Sequence, residues 1–176
     1  MKDDSLQVPR SDLIALPLFP LNVVLFPSME LPLHIFEDRY KAMIGDCLDR
    51  QEPFGVVLIQ EGPEVGEPAQ PFAIGTSARI VQVERLEEGR MNIATTGERR
   101  FQTAEISQRL PHLVGQVRYL EEERGEASPE VIAEIAQEYG AFRRNLTALT
   151  GGWTAQSEVP RDPVLLSYGI AANLDL

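Results

Sequence analysis

Two histidines, one cysteine and two lysines are the whole stock of side chains that commonly bind metals or act as activated nucleophiles and bases beside the carboxylates and hydroxyls. His34 follows an apolar run and His112 follows Pro111, with no HxH, no HExxH and no acid spaced to fix an imidazole, so both read as hydrogen-bonded or solvent-facing histidines. Cys47 stands alone, which excludes an internal disulfide, a CxxC redox pair and a thiolate zinc site. The lysines are Lys2 and Lys41, and no Gly-Lys pair exists, so a phosphate-cradling Walker loop is excluded. No serine lies in a GxSxG elbow, and a Ser–Lys dyad would have to recruit Lys2 near the N-terminus or Lys41 on a helix. The acidic runs Glu87-Glu88 and Glu121-Glu122-Glu123 lack the alternating oxygen spacing of a calcium loop and read as solvated faces. The residues therefore predict no enzyme, no cofactor and no metal.

Binding is what remains. The 176 residues suit one domain with a small appendage, and 43% hydrophobic with 24% charged residues is globular composition. A formal charge of −11 repels phosphate, and Arg99-Arg100 is a compact basic pair too small for a nucleic-acid footprint, so neither nucleic acid nor an anionic membrane is an expected partner. The lone cysteine, the absence of a signal-peptide pattern after Met1 and the absence of a long apolar run predict a cytoplasmic chain.

Three zones must position any binding surface. Residues 11–35 alternate apolar runs with Pro17, Pro20, Pro27 and Pro32, which forbids helix and predicts short strands broken by turns. Phe36, Tyr40, Met43, Ile44, Cys47 and Leu48 then recur at steps of three and four, an amphipathic helix over 36–50 that places Cys47 on its apolar side. Period two returns over 54–120: strands at 56–59, 77–86, 91–95, 101–106 and 113–119, with an acidic proline-containing loop at 61–71 and a hairpin turn at 87–90. About six strands around one helix predict a strongly bent antiparallel sheet or pseudo-barrel.

After the acidic stretch 121–127, Ser128-Pro129-Glu130 is a helix start. Val131, Ile135, Tyr139, Phe142, Leu146 and Leu149 recur near every 3.5 residues until Gly151-Gly152. A second start at Asp162-Pro163 opens a helix holding Leu165, Tyr168, Ala172 and Leu174. The expected organisation is a tail at 1–10, a β-rich unit at 11–120, an acidic linker at 121–127 and a helical subdomain at 128–176. Phe19, Phe26, Met29 and Leu33 are more apolar groups than a proline-broken edge easily buries; they either fill the barrel or line a groove for other chains.

The ordered succession Leu16-Pro17-Leu18-Phe19-Pro20-Leu21, Val24-Leu25-Phe26-Pro27, Leu31-Pro32-Leu33-His34-Ile35-Phe36-Glu37 with Arg39-Tyr40, Gly75-Thr76, and Gly97-Glu98-Arg99-Arg100-Phe101 resembles the N-terminal substrate-binding domain of Lon proteases. The resemblance runs from about Leu13 to Leu174 and implies an α+β fold, a PUA-like pseudo-barrel with one amphipathic helix followed by helices. It implies a non-catalytic, stand-alone or excised module without the ATPase and peptidase domains, whose last helix in relatives continues past the position of Leu176. The implied partners are unfolded or degron-bearing proteins, or a protease or chaperone; an RNA-binding PUA-like module is the alternative. By matching positions it points to apolar Phe26, Met29 and Leu33 and charged Glu37, Asp38 and Arg39 as contacts.

Overall fold

A computed structural model describes residues 12–67, 69–109, 111–122, 125–150 and 159–173. The tail expected at 1–10, the helix stop at Gly151-Gly152 and the continuation of the last helix to Leu174 lie outside them. Among the described residues six strands and three α-helices follow in the order β1 (Ile14–Leu21), β2 (Glu30–Ile35), α1 (Asp38–Arg50), β3 (Phe54–Glu61), β4 (Gln70–Arg85), β5 (Met91–Gln108), β6 (Leu113–Tyr119), α2 (Pro129–Thr150) and α3 (Pro163–Ala171). The sheet order is β2-β5-β4-β3-β1-β6, and β5 also pairs with β6, so five strands close into a barrel and β2 extends from it. Closure leaves few open edges to be capped.

β5 makes this possible. Its first half pairs with β2 from Met91 to Thr96 and its second half with β6 from Phe101 onward. The sequence reading broke this strand between 95 and 101; the strand instead runs on through Gly97, whose lack of a side chain removes any obstacle to the chain crossing it. A second correction concerns direction: β1 and β3 are parallel, with Leu18 level with Gly55 and Leu21 with Leu58. The return through β2 and α1 is long enough for a crossover, whereas the remaining pairs are antiparallel. β1 tolerates its prolines because it is shared end to end. Ile14–Leu18 pairs with β6 and Leu18–Leu21 with β3, so Pro17 and Pro20 each have one side without a partner strand.

The segment Val23–Phe26, read as a strand, is irregular and leads into a turn at Pro27-Ser28. α1 begins at Asp38, after an extended Glu37. Phe36 therefore falls outside the helical stripe and stands 47% exposed. Two apolar clusters hold the molecule together. One joins α1 to the sheet through Tyr40, Met43, Ile44 and Cys47 against Phe19, Ile35, Phe54 and Ile93. The other fills the barrel with Leu16, Leu18, Val57, Phe101, Leu113 and Val117. Phe101 is fully buried, and Gly75 makes room for it: a Cβ there would lie 2.6 Å from the Phe101 ring.

Both later helices start as their sequence dictates. Ser128 Oγ accepts from the Val131 N–H at 3.4 Å, and the Asp162 carboxylate accepts from the N–H groups of Val164 and Leu165 at 3.0 and 3.1 Å. α3 meets the barrel through Tyr168, whose ring lies 6.2 Å from that of Phe26, and α2 packs on α3 through buried Tyr139, whose ring lies 3.7 Å from where a Cβ on Gly169 would stand.

Candidate functional site

The irregular segment between β1 and β2 is fixed from beneath. The Ser28 N–H donates to the Gly97 carbonyl at 2.8 Å, the Gly97 N–H donates to the Met29 carbonyl at 2.9 Å, and the Thr76 hydroxyl donates to the Leu25 carbonyl at 2.6 Å. A Cβ at Gly97 would run into the Phe26 carbonyl, so only glycine lets the turn lie down on β5. Leu25 is buried and anchors the segment, while Phe26 and Met29 are half-buried at the barrel rim.

That turn forms one wall of a cavity of about 510 Å³. Pro27, Ser28, Met29 and Glu30 line this wall; Tyr139, Arg143 and Leu146 of α2 and Leu165, Tyr168 and Asn173 at α3 line the others. Polar groups stand at set points. The Tyr139 hydroxyl donates to the Gly169 carbonyl, and Asn173 Nδ2 donates to both that hydroxyl and that carbonyl at 2.8 Å. The Tyr168 hydroxyl donates to Glu122, whose carboxylate also receives Arg100 through Nε at 3.2 Å and a terminal nitrogen at 3.0 Å. Burial, then the adjacent Glu122, pushes the Tyr168 phenol up to about 12. The Arg100 hydrogen bond holds the Glu122 carboxyl below its ordinary value. Tyr139 is raised by burial. Both phenols thus stay neutral donors at physiological pH.

The six residues named from sequence do not form one cluster. Met29 lines the cavity and also packs on the α1 cluster, while Phe26 lies against Tyr168. Leu33 is half-buried and packs on the α1 cluster. Glu37 and Arg39 pair at 2.9 Å with side chains only 17% and 13% exposed, and Glu37 also accepts the Gly66 N–H at 3.2 Å. Arg39 stacks on the Tyr40 ring at 4.5 Å. Asp38 faces solvent, paired with Lys41 at 2.6 Å, and Lys41 lowers its pKa. The lining groups Tyr139, Arg143, Leu146, Leu165, Tyr168 and Asn173 were missed as a site, because a tyrosine at helical spacing reads equally well as core.

The reactive types stand as follows. Cys47 is buried, with its thiol pushed up to about 11, chiefly by burial. His34 is exposed, with Nδ1 2.7 Å from Asn92 Oδ1. His112 is half-buried and lowered by burial. Among the described residues no group of three or more histidines, cysteines and acids is placed to hold a metal ion, and no helix is long and apolar enough to cross a membrane.

The barrel thus presents an apolar turn to a pair of helices across a cavity. The chain belongs to the family of the ATP-dependent protease La (LON) substrate-binding domain, whose model matches residues 15–176. It is 31% identical to Lon protease 2 of Myxococcus xanthus over 170 residues, 92% of this chain and 20% of that protein. It is 28% identical to Lon protease 2 of Sorangium cellulosum over 173 residues, 94% of this chain and 21% of that protein. The chain thus spans about a fifth of the length of these curated relatives. Among solved structures, a Lon N-terminal domain protein from Xanthomonas campestris is 33% identical with a TM-score of 0.59, over 71% of this chain and 72% of that one. The N-terminal domain of the Mycobacterium avium complex Lon protease shares the fold at 20% identity, with a TM-score of 0.62 over 93% and 84% of the two chains.

Proposed function

We propose that this chain captures unfolded or degron-bearing protein segments in the cavity between the Pro27–Glu30 turn and helices α2 and α3, without chemical turnover, and presents them to a cytoplasmic protease or chaperone. The cavity carries the reading. Its volume of about 510 Å³ falls in the range of roughly 300–1,000 Å³ typical of ligand sites. Its walls mix apolar Met29, Leu146 and Leu165 with the hydroxyl of Tyr139 and the amide of Asn173. Apolar side chains that a native protein would hide are stabilised there by about 25 cal/mol per Å² removed from water. The Tyr139 hydroxyl proton and the Asn173 amide protons are used within the wall, so what these groups leave to the backbone of an extended client is acceptor oxygen.

Phe26 supports the wall from behind, against Tyr168. A client leaving the cavity along β2 passes Leu33 and reaches the start of α1 about 20 Å away, at roughly 3.3 Å per strand residue. Asp38 is the charge on offer there, and the Glu37–Arg39 pair holds the backbone that presents it. Binding is weak per unit area because the client loses chain entropy.

Titration of an unfolded apolar protein into the labelled chain should move the NMR signals of residues 26–29, 139–146 and 165–173, and Met29→Asp should weaken binding about tenfold. Shifts confined to α1 and residues 62–67, or steady hydrolysis of ATP or peptide by the purified chain, would overturn the proposal.

A further inference from the structure

The cavity between the Pro27–Glu30 turn and helices α2 and α3 uses its hydrogen-bond donors within its own walls. Tyr139 gives its hydroxyl proton to the Gly169 carbonyl, and Tyr168 gives its own to Glu122. The Asn173 side chain is fixed in orientation, because a carbonyl only accepts, so the atom 2.8 Å from the Gly169 carbonyl is Nδ2. Its second proton goes to the Tyr139 hydroxyl. Asn173 Oδ1 is left as an acceptor, and among the described residues nothing donates to it. Glu30, at the start of β2, adds a carboxylate that is exposed and has no ion-pair partner among the described residues. The Ser28 hydroxyl can donate or accept. Arg143, the basic residue of the lining, is engaged: its guanidinium stands over the Tyr139 ring, 5.9 Å from the centroid, on the α2 wall.

Such a lining is complementary to a cation with N–H donors at the end of an apolar stem. We infer that the cavity selects, within unfolded clients, segments that carry a lysine or arginine beside apolar residues. The stem of the basic side chain lies along Met29 and Leu165, its charged head meets the Glu30 carboxylate, and Asn173 Oδ1 takes a backbone N–H of the client. Long basic side chains suit this arrangement because the methylene stem buries while the head stays in water. A client glutamate in the same place would set acceptor against acceptor and a second negative charge beside Glu30. The net charge of −11 acts in the same direction from afar, but it does not distinguish which acid faces the client. The inference rests on the capture site proposed above and adds which segments that site prefers.

The test uses unstructured peptides, acetylated and amidated at their ends, that differ at one central position between leucines: lysine, arginine, glutamine or glutamate. All four, titrated into the labelled chain at low salt, should move the signals of residues 26–30, 139–146 and 165–173. The lysine and arginine peptides should bind about threefold tighter than the glutamine peptide, the size expected of an exposed charge pair, and the glutamate peptide more weakly still. Glu30→Gln should remove the advantage of lysine and arginine and leave the glutamine peptide's affinity unchanged. Asp49→Asn, which removes the same charge from an exposed site on α1 outside the lining, should keep the advantage. A glutamine peptide with a free N-terminal amine should gain nothing; a gain equal to that of lysine assigns the site to chain termini and overturns the inference. Equal binding of the lysine and glutamine peptides in the cavity, preference for glutamate, or loss of the advantage in Asp49→Asn also overturns it while capture in the cavity stands. Peptides that do not bind, or that move signals elsewhere, overturn the capture site and the inference together.

Discussion

Gly97 does more for the proposed site than any residue that lines it. It gives and takes one hydrogen bond each with the turn carrying Phe26 and Met29, and it leaves the space in which the Phe26 carbonyl rests. Gly97→Ala should therefore lift that turn off β5, lowering stability by about 1–3 kcal/mol in denaturant titration and weakening client capture, while the signals of α1 stay in place. In the barrel, Phe101→Ala should lower stability by about 3–5 kcal/mol in the same titration, since the ring is fully buried and its neighbours cannot collapse into the space. Cys47 gives the contrasting case. With the thiol buried and raised to about 11, a native-state thiol reagent should label it only at the rate of unfolding, and quickly once denaturant is added. Its burial was legible from its place on a period of three and four. The importance of Gly97 was not, because a glycine's use depends on a chain segment far away in sequence that comes to lie on it.

Among the elements, α3 hangs on a small set of side chains. Tyr168 reaches Phe26, and its hydroxyl meets Glu122, itself held by Arg100. The folded pKa of Glu122 lies below its ordinary value of 4.5, so its contribution is complete above that value and disappears as pH falls through the depressed one. At the alkaline end the sign reverses. Tyr168 is raised from 10.0 to about 12, so its contribution is complete below 10 and is lost as pH climbs toward 12. NMR of the α3 amides should thus show the helix loosening at both extremes, and Glu122→Gln should remove the acid limb while leaving the barrel signals unmoved. The helices themselves were legible, because Ser128-Pro129 and Asp162-Pro163 announce their starts through local hydrogen bonds. Their use was not. The apolar repeat of α2 promises burial, yet only Tyr139 among its six members is buried, for periodicity fixes which side is apolar and leaves open what will cover it.

At the scale of the whole molecule, charge and topology act separately. A net charge of −11 sets a long-range field that draws cationic chains, so unfolded clients with basic flanks should associate faster than acidic ones of equal apolarity, and the difference in stopped-flow rates should shrink as salt rises. Most of the strand-forming stretches and their alternation could be read from the sequence, as could the resemblance that led to the family, although the run Val23–Phe26 also read as a strand and is irregular. The parallel β1–β3 pair and the unbroken β5 could not, because strand direction and continuity depend on partners distant along the chain.

The seam between β1 and β6 carries a temporal consequence. Ile14 pairs with Val117, about a hundred residues later. At roughly 5–20 residues per second of synthesis, the first strand emerges from the ribosome some 5–20 s before its partner exists. During that interval Leu16 and Leu18, which end inside the barrel, have no barrel to enter. Each newly made copy must therefore pass through the kind of exposed, half-made state that we propose it recognises in others, and its nascent chain is a natural early customer for the chaperones that shield such states.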